Sequence, residues 1–157
     1  MDKYLFLREV NKMEQNLLKA SAVLLNQKAK FRCSVNGKPP IISDYTPPHG
    51  DGEGYTSLEL MLLSLASCFA STVKFILTGP MKKTVSAINA TAKGERRREH
   101  PTCFEKIELF LDINADCLRA EELENVINAA EESICPVYAM LRGNVEIVVK
   151  YKIKEKV

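Results

Sequence analysis

The sequence predicts a single α+β domain spanning residues 1–157, with helices covering a mostly antiparallel sheet. Three observations predict it. The apolar stretch Ser57–Leu77 repeats its large residues at helical spacing, four other segments alternate with the period of a strand, and the glutamate-rich Arg119–Ser133 is again helical in period. No internal repeat, low-complexity tract or interdomain linker breaks the order strands, long helix, two strands, helices, strand.

In chain order, Met13–Leu25 is ambiguous: its apolar spacing suits a helix, yet Ser21–Leu25 equally suits a strand. Lys30–Val35 sets Phe31, Cys33 and Val35 against Lys30, Arg32 and Ser34, and Asn36-Gly37 then signals a tight turn before Pro39-Pro40 and Ile41-Ile42. Tyr45–Tyr55, with Pro47-Pro48 and three glycines, is a loop, either framing a pocket or simply connecting. Ser57 can cap the long helix, in which Leu58, Leu62, Leu65 and Phe69 recur and which Gly79-Pro80 ends. At 1.5 Å per residue it would be roughly 30 Å long, and its wide apolar surface asks for cover on more than one side.

Strands follow around Val85–Ala92 and Phe104–Ile113; in the second, Ile107, Leu109, Leu111 and Ile113 oppose Lys106, Glu108, Phe110 and Asp112. The helix Arg119–Ser133 carries Leu123, Val126, Ile127 and Ala130 on its inner face. Cys135-Pro136 opens a short helix reaching Leu141, since proline fits the first helical position, and Val145–Ile153 reads as the last strand.

Twenty-two basic against 20 acidic residues leave a formal charge of +2, which gives no reason to expect a nucleic-acid partner. The basic run Arg96-Arg97-Arg98 is short and bracketed by Glu95 and Glu99, as in a solvated loop. Glu59, Lys74 and several hydroxyl residues within the apolar helix argue against a membrane span. Met1–Leu7 has no secretory pattern, so a cytoplasmic protein with reduced thiols is expected.

Five cysteines occur with no CxxC, and there are only two histidines, so neither a zinc knuckle nor a thioredoxin-like pair is indicated. Cys68, inside the apolar helix, is either an inert core thiol or a reactive one with room beside Ala66, Ser67 and Ala70. Cys135 has a local reason to react: the start of a helix favours a thiolate, although Glu131 and Glu132 oppose it. Cys33 and Cys117 are expected to pack, Cys103 stands at a strand entrance, and His100 reads as a polar loop residue.

The segment Tyr55–Cys68, YTSLELMLLSLASC, resembles the first cysteine helix of the OsmC/Ohr family, the osmotically induced and organic-hydroperoxide-resistance proteins. Glu131–Val137, EESICPV, resembles that family's second cysteine motif, and the stretch from Arg96 through Phe104 into Glu105-Lys106-Ile107 is similar to its OsmC-like branch.

The resemblance implies an intertwined homodimer in which mostly antiparallel sheets wrap long central cysteine-bearing helices. It also implies reduction of organic hydroperoxides by thiols, without metal, haem or other cofactor. Cys68 would become a sulfenate, Cys135 would condense with it to a disulfide, and an external dithiol would reset the pair. Relatives position the thiolate with an early-strand arginine and a glutamate ten residues before the cysteine; here that place holds Leu58, with Glu59 next to it. Glu59 and Arg32 are therefore the candidates for those roles, with Arg8 and Arg96–Arg98 as further arginines. The shifted glutamate keeps open a second function, a redox-sensing or small-molecule-binding dimer of the same fold without catalysis.

Overall fold

The computed structural model describes residues 17–154. Arg8, the Met1–Leu7 start and the Met13–Asn16 part of the ambiguous segment lie outside them. The chain divides into two compact units, with the boundary between Ser57 and Leu58.

In the first unit, β1 (Ala20–Leu24), β2 (Phe31–Val35) and β3 (Ile41–Ser43) form an antiparallel sheet in the order β1-β2-β3. Within the described part of the ambiguous segment, Ala20–Leu24 is thus a strand. Pairing of Ala20 with Val35 and of Leu24 with Phe31 gives its backbone the partners that a marginal isolated helix would have to find internally. At the predicted turn, Lys38 N–H reaches the Val35 carbonyl at 2.9 Å, and Gly37 takes φ +67°, which a side chain would resist. The sheet buries little: Val23, Leu24, Val35 and Ile41 all remain exposed.

The loop after β3 is organised around Asp44, which is 1 % exposed. Its carboxylate accepts the Tyr45 amide at 2.8 Å and the Asp51 and Glu53 amides at 3.1 Å each. Lys28 pairs with Asp51 at 2.7 Å, and Lys30 pairs with Glu53. Gly50 packs so closely that a Cβ there would stand 2.0 Å from the Tyr45 carbonyl oxygen, so no other residue fits.

The second unit contains α1 (Ser57–Thr78, which begins at the boundary), β4 (Val85–Arg96), β5 (Phe104–Ala115), α2 (Ala120–Ala129), a π-helical turn (Ala130–Ile134), α3 (Pro136–Leu141) and β6 (Glu146–Lys154). Its sheet runs β4-β5-β6, with β5 central. β4 pairs antiparallel to β5, but β6 pairs parallel to it, so the second sheet is mixed rather than mostly antiparallel. The cause is the connection. A hairpin turn reverses the chain after β4, whereas the helical crossover after β5 carries it back before β6 begins.

The core lies in this unit. Ile107, Leu109, Leu111 and Ile113 are fully buried, as their alternation predicts, while Phe110 on the opposite face is 41 % exposed. Leu65, Phe69, Val73 and Leu77 of α1 join them with Leu123, Val126 and Ile127 of α2. By length and mean hydropathy alone α1 would pass for a membrane span, so its scattered polar residues are a weaker argument than the sequence reading made them. One of its faces lies in the core, while Leu63 and Phe75 are exposed.

The predicted helix Arg119–Ser133 is α-helical only to Ala129 and then widens into the π turn, closed by the Cys135 amide donating to the Ala130 carbonyl at 3.0 Å. At its start, the Glu122 carboxylate accepts the Arg119 amide at 2.9 Å and the Lys83 ammonium at 3.0 Å.

Candidate active site

The long helix and the short one bring together two cysteines that are far apart in sequence. Cys68 lies mid-way along α1, and Cys135 is the residue on which α3 begins. Both are free thiols, and the Cys135 Sγ–H points at the Cys68 Sγ from 3.5 Å. A disulfide is about 2.05 Å long, so bonding requires the sulfurs to close by only about 1.5 Å. Cys68 is half-buried, whereas Cys135 is 1 % exposed.

That burial decides the electrostatics. Desolvation pushes the Cys135 thiol above its ordinary value, and the adjacent Cys68 sulfur pushes the same way. The Tyr138 amide and the Thr72 hydroxyl pull back, without prevailing. The acidic Cys135 expected from its place at a helix start is therefore not found: α3 is six residues long, and burial outweighs it.

The pair sits among apolar and aromatic neighbours. Phe69 and Tyr138, each next to or one turn from a cysteine, pack with ring centroids 5.6 Å apart at 48°. Burial, with Glu131 nearby, raises the Tyr138 phenol, and burial with Glu132 raises the Glu131 carboxyl. Arg142 donates to the Glu131 and Glu132 carbonyls at 3.4 Å, capping the π turn that leads to Cys135.

Other predicted residues fall elsewhere. Glu59 is exposed in the first turn of α1; nine residues of helix put it about 13 Å along the axis from Cys68 of the same chain. Arg32 is exposed in β2 of the first unit, level with Val23 and Ile42. Arg96 donates to the Thr102 carbonyl at 3.0 Å and hydroxyl at 2.5 Å, and Arg97 to the Pro101 carbonyl, so both serve their own loop. Cys117, expected to pack, is instead exposed, with φ +51° in the turn after β5; Cys103 is exposed and Cys33 half-buried. Among the described residues, no three His, Cys, Asp or Glu side chains are grouped to hold a metal.

Sequence reasoning missed Thr72 and Tyr138. Their signal was present: Thr72 is four residues after Cys68 in a helix, and Tyr138 three after Cys135, spacings that place each beside its cysteine.

The profile of the family described as OsmC-like protein matches residues 50–150. Among solved structures, a hypothetical protein from Aquifex aeolicus VF5 superposes with a TM-score of 0.78 at 24 % identity, over 90 % of this chain and 99 % of that one. The OsmC-like protein from Mycoplasma pneumoniae gives 0.74 at 19 %, covering 90 % and 99 %. The organic hydroperoxide resistance protein OhrB of Bacillus subtilis gives 0.61 at 21 %, covering 88 % and 99 %. At these identities the likeness is one of fold. No curated protein matches the sequence.

Proposed function

The chain belongs to the OsmC-like protein family, and on that premise we propose that it is a thiol peroxidase reducing organic hydroperoxides. The observation that carries the reading is the facing cysteine pair of unequal exposure. A substrate can meet half-buried Cys68, while Cys135 is withheld from solvent and has one neighbour to react with. The Cys68 thiolate attacks the peroxide oxygen, the O–O bond breaks, and the departing alkoxide takes up a proton to leave as the alcohol, with a sulfenic acid on Cys68. Cys135 displaces hydroxide from that sulfur to form the disulfide, with release of water. An external dithiol then reduces the bond by exchange and leaves oxidised itself. Solved structures of the same fold include organic hydroperoxide resistance proteins, which favours this substrate class.

The working unit of this proposal is an intertwined homodimer. Leu63 and Phe75 on α1, together with the exposed apolar residues of β1, β2 and β3, supply surface for a second copy. Arg32 and Glu59 are the proposed activating pair. The helical rise between Glu59 and Cys68 of one chain means that a direct role for Glu59 requires the second subunit. The proposed compartment is the cytoplasm, where the pair would be kept reduced.

A redox-sensing or ligand-binding dimer without turnover is the second reading, kept open because Leu58 stands where relatives carry the glutamate and Glu59 lies one residue on. Stopped-flow mixing of reduced protein with an organic hydroperoxide separates the two. The peroxidase reading expects fast consumption that persists for one turnover in Cys135→Ser and vanishes in Cys68→Ser; slow consumption independent of Cys68 sinks it.

A further inference from the structure

Two neighbouring backbone carbonyls in the turn before Cys135 have lost their helical partners. The Cys135 amide donates five residues back, to the Ala130 carbonyl at 3.0 Å, and so not to the Glu131 carbonyl, its partner in an α-helix. The next residue is Pro136, which has no N–H. Proline therefore denies Glu131 a π-helical donor and Glu132 an α-helical one. Arg142 supplies both, since its Nη1 carries two hydrogens and lies 3.4 Å from each of these carbonyls. The backbone of Arg142 is fixed at the far end of the same segment, where it caps α3 and its amide donates to the Tyr138 carbonyl at 2.8 Å. The side chain thus ties the end of α3 back to the π turn, with Cys135 between the two ties. The Cys135 backbone is bonded in both directions, its amide to Ala130 and its carbonyl accepting the Ala139 amide at 3.0 Å. Cys68 is fixed by α1 itself.

We infer that Arg142 is a positioning residue for disulfide closure. By taking the Glu131 and Glu132 carbonyls it holds the π turn, and with it the Cys135 sulfur at 3.5 Å from that of Cys68. The inference rests on the peroxidase reading of the pair. Organic hydroperoxide has first oxidised Cys68 to the sulfenic acid. Cys135 gives up its proton, its sulfur bonds to the Cys68 sulfur, the S–O bond breaks, and the departing hydroxide takes up a proton as water. A thiol held at contact distance reacts as though far more concentrated than one on a frayed turn. The guanidinium suits the task, because a cation is favoured beside the carbonyls that end a helix. A purely structural arginine would support the fold as a whole, and its loss would slow the chemistry of both cysteines alike.

Two measurements test this, the first on Arg142→Ala, Arg142→Gln and Arg142→Lys without peroxide. Methyl methanethiosulfonate caps Cys68 as its methyl disulfide, with methanesulfinate leaving. Cys135 then gives up its proton and attacks the Cys68 sulfur, methanethiolate leaves and takes up a proton, and the internal disulfide remains. Acid quenching and peptide mass spectrometry time both steps. Capping of Cys68 is expected to keep its parent rate. Closure is expected to slow about fivefold in the alanine and glutamine variants, as for loss of a well-placed cation at a helix C-terminus. Lysine keeps the charge and should restore most of the rate. Hydrogen exchange at the Cys135 amide should quicken in the variants that close slowly. The second measurement adds cumene hydroperoxide and dimedone to Cys135→Ser, where sulfenate trapped on Cys68 is expected. Closure at the parent rate in Arg142→Ala, or capping of Cys68 slowed as much as closure, would overturn the role of Arg142. Absence of any trapped sulfenate would instead overturn the peroxidase reading, and the methyl disulfide measurement would still judge Arg142.

Discussion

The thiol of Cys135 points at the sulfur of Cys68 from 3.5 Å, yet only Cys68 of the two is open to solvent. Proximity and unequal access together impose an order on the chemistry, because a reagent from outside must meet Cys68 before Cys135 can take part.

That order is measurable with a thiol reagent and peptide mapping of the reduced, native protein. Cys103 and Cys117, both exposed, should be labelled first, Cys68 next, and Cys135 last, its thiol both enclosed and raised by burial. Labelling of Cys135 ahead of Cys68 would contradict the enclosure.

The core of the second unit predicts a sharp contrast between adjacent residues of β5. Leu111→Ala, at a fully buried position, should cost about 2–5 kcal/mol. Phe110→Ala, on the exposed face, should cost far less, within about 0.5–1 kcal/mol. Urea denaturation of the two variants checks the difference.

Acid stability should follow two carboxylates. Glu122 is held down at about 2, first by the Arg119 amide and then by the Lys83 ammonium. Burial alone would raise Asp44, but the amides of Glu53, Asp51 and Tyr45 hold it below the usual range. A carboxyl lowered on folding adds stability above its unfolded pKa of about 4 and loses it as pH falls through the folded value. Melting temperature should therefore decline from about pH 4.5 downward, and less steeply in Glu122→Gln. In Asp44→Ala, hydrogen exchange at the Asp51 and Glu53 amides should speed up at neutral pH, since their acceptor is gone.

Cys117 holds a left-handed backbone conformation at φ +51°. Cys117→Gly should be neutral or stabilising by up to about 1 kcal/mol, because glycine adopts that conformation freely. The same change at Cys33, in the extended strand β2, should destabilise; paired thermal melts distinguish the two.

What could be read from the sequence was whatever repeats locally. The alternation of Ile107 to Ile113 and the helical spacing of Leu65, Phe69 and Leu123 carry their own period, so faces and elements followed from them. The parallel pairing of β6 could not be read in this way, since the path of the crossover, not the strand's own pattern, fixes its direction. The meeting of Cys68 with Cys135 is likewise a tertiary fact, and only the likeness of the two motifs to a known family pointed to it. The π turn was hidden because Ala130–Ile134 keeps its buried alanine where an ordinary helix would also put one. The raised Cys135 thiol was misjudged because a helix start is visible in sequence and burial is not.

The packing of Tyr138 beside the cysteine pair also has a photophysical consequence. The chain has no tryptophan, so its ultraviolet emission belongs to five tyrosines. Of those described, Tyr45, Tyr55 and Tyr151 are exposed, and Tyr138 alone is buried, against Phe69 and one turn from Cys135. Disulfides quench tyrosine emission far better than thiols do. Closing the Cys68–Cys135 bond should therefore dim one fluorophore out of five, giving the native protein an unlabelled optical record of its own oxidation.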